Sequence, residues 1–397
     1  MAFLFRKSRR LFATIFISAL FLHSPWTLAQ SDSPVVPANS GLAHRRAQAL
    51  RHGINLSGWF AQVYDPKGYT KEHFESSTTP QDIALIKAMG FDHVRLSVNP
   101  APMFRPGHAD EIPAEYLSYL DAAVKMILDH GLSVIIDIHP ESDFKAKLAT
   151  DSFVEQFADY WRGLAHHYSN LDPNRVFFEI LNEPEMSDRY RWYGIQTKLA
   201  TAIREGAPQH TIIVAGARYS SNDELLFLDP LADPNVIYNF HFYEPHVFTH
   251  QGATWGVNYW HFEHGLSYPS NERSAEKVAA EVPDATNRME ILRYGMDHWD
   301  AARIGMEIGQ VAEWARRWHV PVTCNEFGAF RKYTAPADRA AWIHDVRTTL
   351  EQNGIGWTMW DYSGGFGVVT KVDGKAIPDE VTMQALGLKM PASAPQP

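Results

Sequence analysis

One cysteine, Cys324, stands in the sequence, so no disulfide can close within the chain and a four-cysteine zinc site is excluded. Positive charge is also short. Thirty-six Lys and Arg against 46 Asp and Glu leave a formal net charge of −10, which argues against nucleic acid or an anionic membrane surface as partner. A neutral polymer is indifferent to that charge. No second apolar run follows the one near the start, no repeat recurs at a solenoid period, and no linker interrupts the body of the chain. No glycine-rich phosphate turn follows the first strand-like run, where Asn55-Leu56-Ser57-Gly58-Trp59 stands instead.

Hydrophobic residues make up 45% of the chain, and 12 Trp, 16 Tyr and 22 Phe supply flat apolar faces that serve a core or a sugar's C–H face equally well. Residues 1–29 read as an export signal. Arg6, Lys7, Arg9 and Arg10 precede a short apolar stretch, Leu11 to Leu22, and small residues follow around Thr27 and Ala29. Ser8-Arg9-Arg10-Leu11-Phe12 resembles a twin-arginine signal, with Sec export the other route; either leads to a periplasmic or secreted protein. Residues 30–44, rich in Ser, Pro and Ala, are expected to form a flexible lead-in, 45–389 a single catalytic domain and 390–397 a disordered tail. A mature chain of about 365 residues fits an α/β barrel with loop insertions.

Short β-branched runs alternate with helical patterns. The runs are 53–57, 93–98, 133–138, 175–181, 211–215, 235–240, 320–325 and 356–360; helices are expected over 81–89, 114–130, 152–168, 190–205, 296–318 and 337–352. Gly90 and Gly131 stop two of these helices. Strands apolar along their length, rather than alternating, belong to a parallel sheet covered on both faces. Eight such units predict an α/β fold, a single (β/α)8 TIM barrel with a long loop insertion of about fifty residues after strand six. A doubly wound sheet is the competitor and lacks its phosphate turn.

Polar residues collect at the strand ends: Arg95, His139, Asn182 and Glu183, His241 and Tyr243, Glu326, and Trp360. On a barrel these ends converge on one mouth. Carboxylates on strands four and seven face each other there, and two carboxyl groups about 5–5.5 Å apart can cleave a glycosidic bond with retention. Glu183 is the expected acid/base and Glu326 the nucleophile. Arg95 is placed to keep Glu326 ionised, Tyr243 to donate to it, and Asn182 to bind a sugar 2-hydroxyl. Glu179, Asp137 and Cys324 read as packing or network residues inside the strands, and His166 and His167 as surface residues. His139 and His241 could ligate a metal, but no third ligand with metal spacing lies near them, so neither metal nor cofactor is expected.

Ile180-Leu181-Asn182-Glu183-Pro184 resembles the Asn-Glu-Pro signature of glycoside hydrolase family 5, the cellulase family, and the resemblance runs from His52-Gly53-Ile54-Asn55-Leu56 to Trp360-Asp361-Tyr362. It implies a retaining mechanism without metal on an oligo- or polysaccharide. It gives Arg95, His139, Asn182, Glu183, His241, Tyr243, Glu326 and Trp360 the family's active-site roles, with Trp360 flooring the −1 sugar beside a non-proline cis peptide. The first strand, through Trp59 and Phe60, looks more like exo-acting β-1,3-glucanases, whereas Asn325-Glu326-Phe327-Gly328 and the segment 241–252 are similar to cellulase-like sequences.

The resulting expectation is an exported, monomeric endo-β-1,4-glucanase, with β-1,3-glucan, mannan or xyloglucan as alternative substrates and a non-catalytic carbohydrate-binding protein as the rival of another class. Trp59, Trp192, Phe242, His246, Trp255 and Trp260 are the candidate subsite walls.

Overall fold

A computed structural model describes residues 40–109, 111–257 and 260–391; the expected export signal lies outside them. Eight strands, β1 (His52–Phe60), β2 (His93–Val98), β3 (Ser133–Ile138), β4 (Val176–Glu179), β5 (Thr211–Ala215), β6 (Val236–Phe242), β7 (Val322–Phe327) and β8 (Gly356–Met359), pair in parallel, and β8 closes on β1. The chain is therefore a (β/α)8 barrel. Nearly every strand residue is buried, because helices cover the outside and side chains fill the inside, which explains the continuous apolar runs.

The helices end where local chemistry stops them. Pro80–Met89 opens with a capping box between Thr79 and Asp82 and closes at Gly90, whose φ of +100° excludes a side chain without strain. Trp161 and Trp192, on the helices Asp151–Tyr168 and Arg189–Gly206, donate their indole N–H to the carbonyls of Ile180 and Ala215 and so peg the outer layer to the strand ends.

Inside, strand alternation sorts the residues into layers. Ile135, Phe177, Ile213 and Ile237 form an apolar plug at the N-terminal end, sealed by Ala47 and Leu50. Two residues further along, the same parity brings in Asp137, Glu179 and Asn239, and two beyond those His139 and His241. The interior thus changes from hydrocarbon to ion network to open site along one axis.

Three expectations need correction. Residues 40–44 are not a lead-in but part of the helix Ser40–Ala47, whose Arg46 bonds Asn174 and Thr211 below the barrel. The insertion after β6 is not one long loop: it contains the helices Glu272–Glu281 and Ala285–Met296, capped by Asn271 and Asp284. The helix expected over 296–318 breaks at His298 (φ +51°) and restarts at Ala301 on an Asp300 cap.

Candidate active site

Arg95 organises the barrel mouth. Fully buried, its guanidinium bonds both oxygens of Glu179 (2.8 and 2.9 Å), Asn55 Oδ1 (3.0 Å), Asn182 Oδ1 (2.9 Å) and Glu326 Oε1 (2.6 Å), and it contacts Asp137 at 3.0 Å. Burial alone lowers its pKa. Asp137, Glu179 and Glu326 overcome that and hold the guanidinium well above its ordinary range. One cation cannot neutralise three carboxylates, however. Burial pushes the Asp137 carboxyl up to about 7 and raises that of Glu179 despite Arg95.

Glu326 reaches this network through a register shift. Asn239 of β6 pairs with Thr323 and Phe240 with Cys324, but His241 pairs with Glu326. One residue of β7 is skipped, so Asn325 and Glu326 both turn inward, Asn325 onto Glu179 at 2.6 Å and Glu326 onto Arg95. This is what a β-bulge does beside an active site: it re-aims a side chain that strict alternation would send outward. Tyr243 donates to the other Glu326 oxygen at 2.8 Å, and the carboxylate side chain is only 5% exposed.

Glu183 stands opposite. The chain leaves β4 after Glu179 and turns through a left-handed Glu183 (φ +43°), a backbone state that persists in a non-glycine residue only where its surroundings enforce it. Its side chain is 27% exposed and accepts from His241 Nδ1 at 3.0 Å; the same nitrogen lies 3.5 Å from Glu326 Oε2. One oxygen of each glutamate and a nitrogen of His241 lie within 4.8 Å of one another. Such closeness matches the short separation of a double-displacement pair rather than the wider one an inverting pair keeps for its water.

The histidines are spacers, not charges. Burial depresses His139 to about 3 and His241 to about 4, so both are neutral at ordinary pH. Neutral His139 donates to Asp137 at 2.8 Å and accepts from Asn182 Nδ2 at 3.0 Å, which leaves Asn182 one free amide hydrogen. Trp360 stacks on His139 at 5.6 Å and 15°, and the peptide after it, Trp360–Asp361, is cis.

The eight strand-end residues are thus brought together. The aromatic candidates divide. Trp255, 48% exposed, stands edge-on to Phe330 at 5.0 Å and 6.3 Å from Phe366, a residue clustered with Tyr243 and Trp360 at the mouth. Trp260 stacks on His246 at 5.7 Å beside it. Trp59, Trp192 and Phe242 are corrections: each is buried in the main core, with the indoles of Trp59 and Trp192 bonded to the Phe74 and Ala215 carbonyls, so none offers a face to a sugar. Glu179, Asp137 and buried Cys324 sit within the strands as read, and His167 lies on the surface, paired with Asp121. Asn55, Asn239 and Asn325 were missed. Asparagine in the middle of a buried strand was the available signal, since a buried amide needs a partner.

A third potential metal ligand exists after all. Glu183 joins His241 and Glu326, drawn from the turn after β4, from β6 and from β7, which sequence spacing does not relate. The donor set nonetheless fits a cation poorly, because both Glu326 oxygens are already held, one by the Arg95 guanidinium itself.

Paired carboxylates at the C-terminal mouth of a closed parallel barrel define a glycosidase of the (β/α)8 class. Comparison with known proteins narrows that class. Residues 55–365 match the model of Cellulase (glycosyl hydrolase family 5), and the chain belongs to this family. It is 30% identical over 324 residues to Endoglucanase C of Acetivibrio thermocellus, covering 79% of this chain and 91% of that protein. Endoglucanase 3 of Fibrobacter succinogenes is 26% identical, with 96% and 62% covered. A solved hyperthermophilic endo-β-1,4-glucanase in complex with substrate superposes with a TM-score of 0.70 at 25% identity, covering 87% of this chain and 99% of that one.

Proposed function

We propose that the chain is a retaining endo-β-1,4-glucanase in which Glu326 is the nucleophile and Glu183 the acid/base. A Glu326 oxygen attacks the anomeric carbon while Glu183 gives its proton to the departing glycosidic oxygen. Glu183 then takes a proton from water, whose oxygen displaces Glu326 at the same carbon. Arg95 and Tyr243 fix the two oxygens of the nucleophile, Asn182 meets the 2-hydroxyl, and Trp360 carries the −1 sugar. The observation that carries this reading is the meeting of the two glutamates around His241 within 4.8 Å. The choice of β-1,4-glucan follows the relatives named endoglucanase. Trp255 and Trp260 are assigned to the rim of the cleft. Residues 1–29 as a removed export signal, residues 45–389 as the catalytic domain, and a monomeric periplasmic or secreted enzyme complete the proposal; no described helix is long and apolar enough to cross a membrane.

Reducing-end release from carboxymethyl-cellulose, laminarin, mannan and xyloglucan tests the substrate. Fastest cleavage of carboxymethyl-cellulose supports the reading. Strong laminarin cleavage with none of carboxymethyl-cellulose overturns it.

A further inference from the structure

A cavity of about 190 Å³ opens between the first turns of the helix Arg189–Gly206 and the segment 216–229 that follows β5. None of its lining residues belongs to the set gathered around Glu183 and Glu326. It is smaller than the ~300–1,000 Å³ of sites that enclose a drug-sized ligand, so it suits a single ring of something larger. Two of its aromatic rings are left to solvent, Tyr190 at 85% and Phe227 at 62% exposed; half-buried Tyr193 and buried Leu228 complete the apolar wall. Phe227 is not loose. The Arg189 guanidinium lies over one of its faces, 4.0 Å from the ring centroid, so its exposure belongs to the edge and the opposite face.

Arg189 is itself tied down. It donates to Glu224 Oε1 at 2.8 Å, and Arg218 Nε donates to the same oxygen at 2.6 Å. Both cations use one oxygen of the pair. Glu224 Oε2, on a side chain only 1% exposed, has no hydrogen-bond partner among the described residues. A buried carboxylate oxygen without a donor is unfavourable, and a native structure keeps one only where something else supplies the bond. The wall therefore offers an unpaired acceptor, a guanidinium fork of which Glu224 takes only part, and flat apolar faces. An anion here would face Glu224 and Asp229, and a cation would face Arg189. A purely apolar ring would leave the Glu224 oxygen unpaired. A neutral ring with hydroxyls at its edge and C–H groups on its faces meets every demand.

We propose that this cavity is a second, non-catalytic carbohydrate site that takes one glucosyl unit of a β-1,4-glucan chain, with its faces against Phe227 and Tyr190 and its hydroxyls on Glu224 and Arg189. The choice of glucan rests on the endoglucanase reading above; the site itself does not. A hydroxyl donates to Glu224 Oε2, another accepts from Arg189, and the rings cover the apolar face. One unit held this way binds weakly. On a polymer, however, a second point of attachment raises the effective concentration of chain at the catalytic mouth.

The test blocks the catalytic centre with 2,4-dinitrophenyl 2-deoxy-2-fluoro-β-cellobioside, which leaves its sugar on Glu326, and titrates the blocked full chain with cellohexaose by calorimetry. Binding should remain. It should weaken about tenfold in Phe227→Ala and in Tyr190→Ala, and persist in Phe227→Tyr and Tyr190→Phe. No binding to the blocked wild type, or equal binding by both alanine variants, would overturn the proposal. Tyr190 is so exposed that its alanine variant should melt with the wild type, so a loss of binding there cannot be laid to misfolding. Failure of the fluorosugar to label Glu326 undoes the catalytic or substrate reading alone. The same variants are then titrated unblocked with an oligosaccharide of whichever glycan the protein cleaves or retains in native electrophoresis, and equal binding again overturns the site.

Discussion

Replacing Arg95 by lysine keeps the charge and removes the fork. The arginine serves Glu179 twice, Asn55, Asn182 and Glu326 from three nitrogens spread over one plane. A lysine ammonium has three donors on a single atom, and it cannot bridge Glu179 and Glu326 together. At least two charge-assisted hydrogen bonds are then lost around a side chain that is fully buried. At ~1.5–3 kcal/mol each, the loss is about 3–6 kcal/mol. A native protein has about 5–15 kcal/mol in all. At about 2 °C per kcal/mol for a chain this long, the melting midpoint should fall by roughly 6–12 °C. Catalysis should suffer independently, because an unbraced Glu326 departs from its line of attack, and such a misplacement costs about 100-fold in kcat/KM. Circular dichroism melting and initial rates on a soluble glucan read the two effects. A variant that melts within about 2 °C of wild type and keeps its rate within about threefold would refute the claim that this guanidinium organises the site.

Further outcomes follow from individual contacts. Glu326→Gln should lose activity by several orders of magnitude while retaining affinity for oligosaccharide in calorimetry; normal turnover would remove the nucleophile assignment. Glu183→Ala should regain rate on added azide, and only with activated aryl glycosides whose departure needs no acid; rescue equal for all leaving groups would contradict its role. Glu263 is fully buried with neither oxygen hydrogen-bonded, and burial raises its carboxyl to about 9. Between its unfolded value of 4.5 and that folded value, the native state holds a proton that the unfolded chain releases, so this residue costs stability increasingly as pH rises through the window. Glu263→Gln should therefore gain in melting midpoint over wild type more at pH 8.5 than at pH 5, and a pH-independent difference would show that the carboxyl is not held neutral.

Much of the barrel was legible because each unit repeats the same physical signal. β2, β3 and β5 have the limits read from their apolar runs, and Gly90 ends its helix as a left-handed cap. What alternation could not show was its own interruption. Asn325 and Glu326 both face inward only because β7 slips against β6, and nothing in Thr323-Cys324-Asn325-Glu326 marks a bulge. β4 stops at Glu179 rather than 181 because the chain turns toward a left-handed Glu183, a conformation imposed by the surrounding site rather than by local residue type. Helix breaks without glycine or proline are equally silent: the break at His298 is fixed by a distant partner, Ser270, whose Oγ accepts from the Trp299 N–H at 2.8 Å and whose own N–H donates to the Trp299 carbonyl at 2.9 Å. Aromatics failed for a related reason. Trp59 and Trp192 are as apolar as Trp255, and only tertiary packing decides which ring is spent on the core.

The account turns on two carboxylates near enough to act at a single carbon from opposite sides. Proton NMR during the first minutes of hydrolysis of a β-1,4-linked oligosaccharide reads that geometry directly. The β-anomer should appear first and decay to the equilibrium mixture by mutarotation. The α-anomer appearing first would mean inversion, a water between the glutamates, and a different enzyme from the one described.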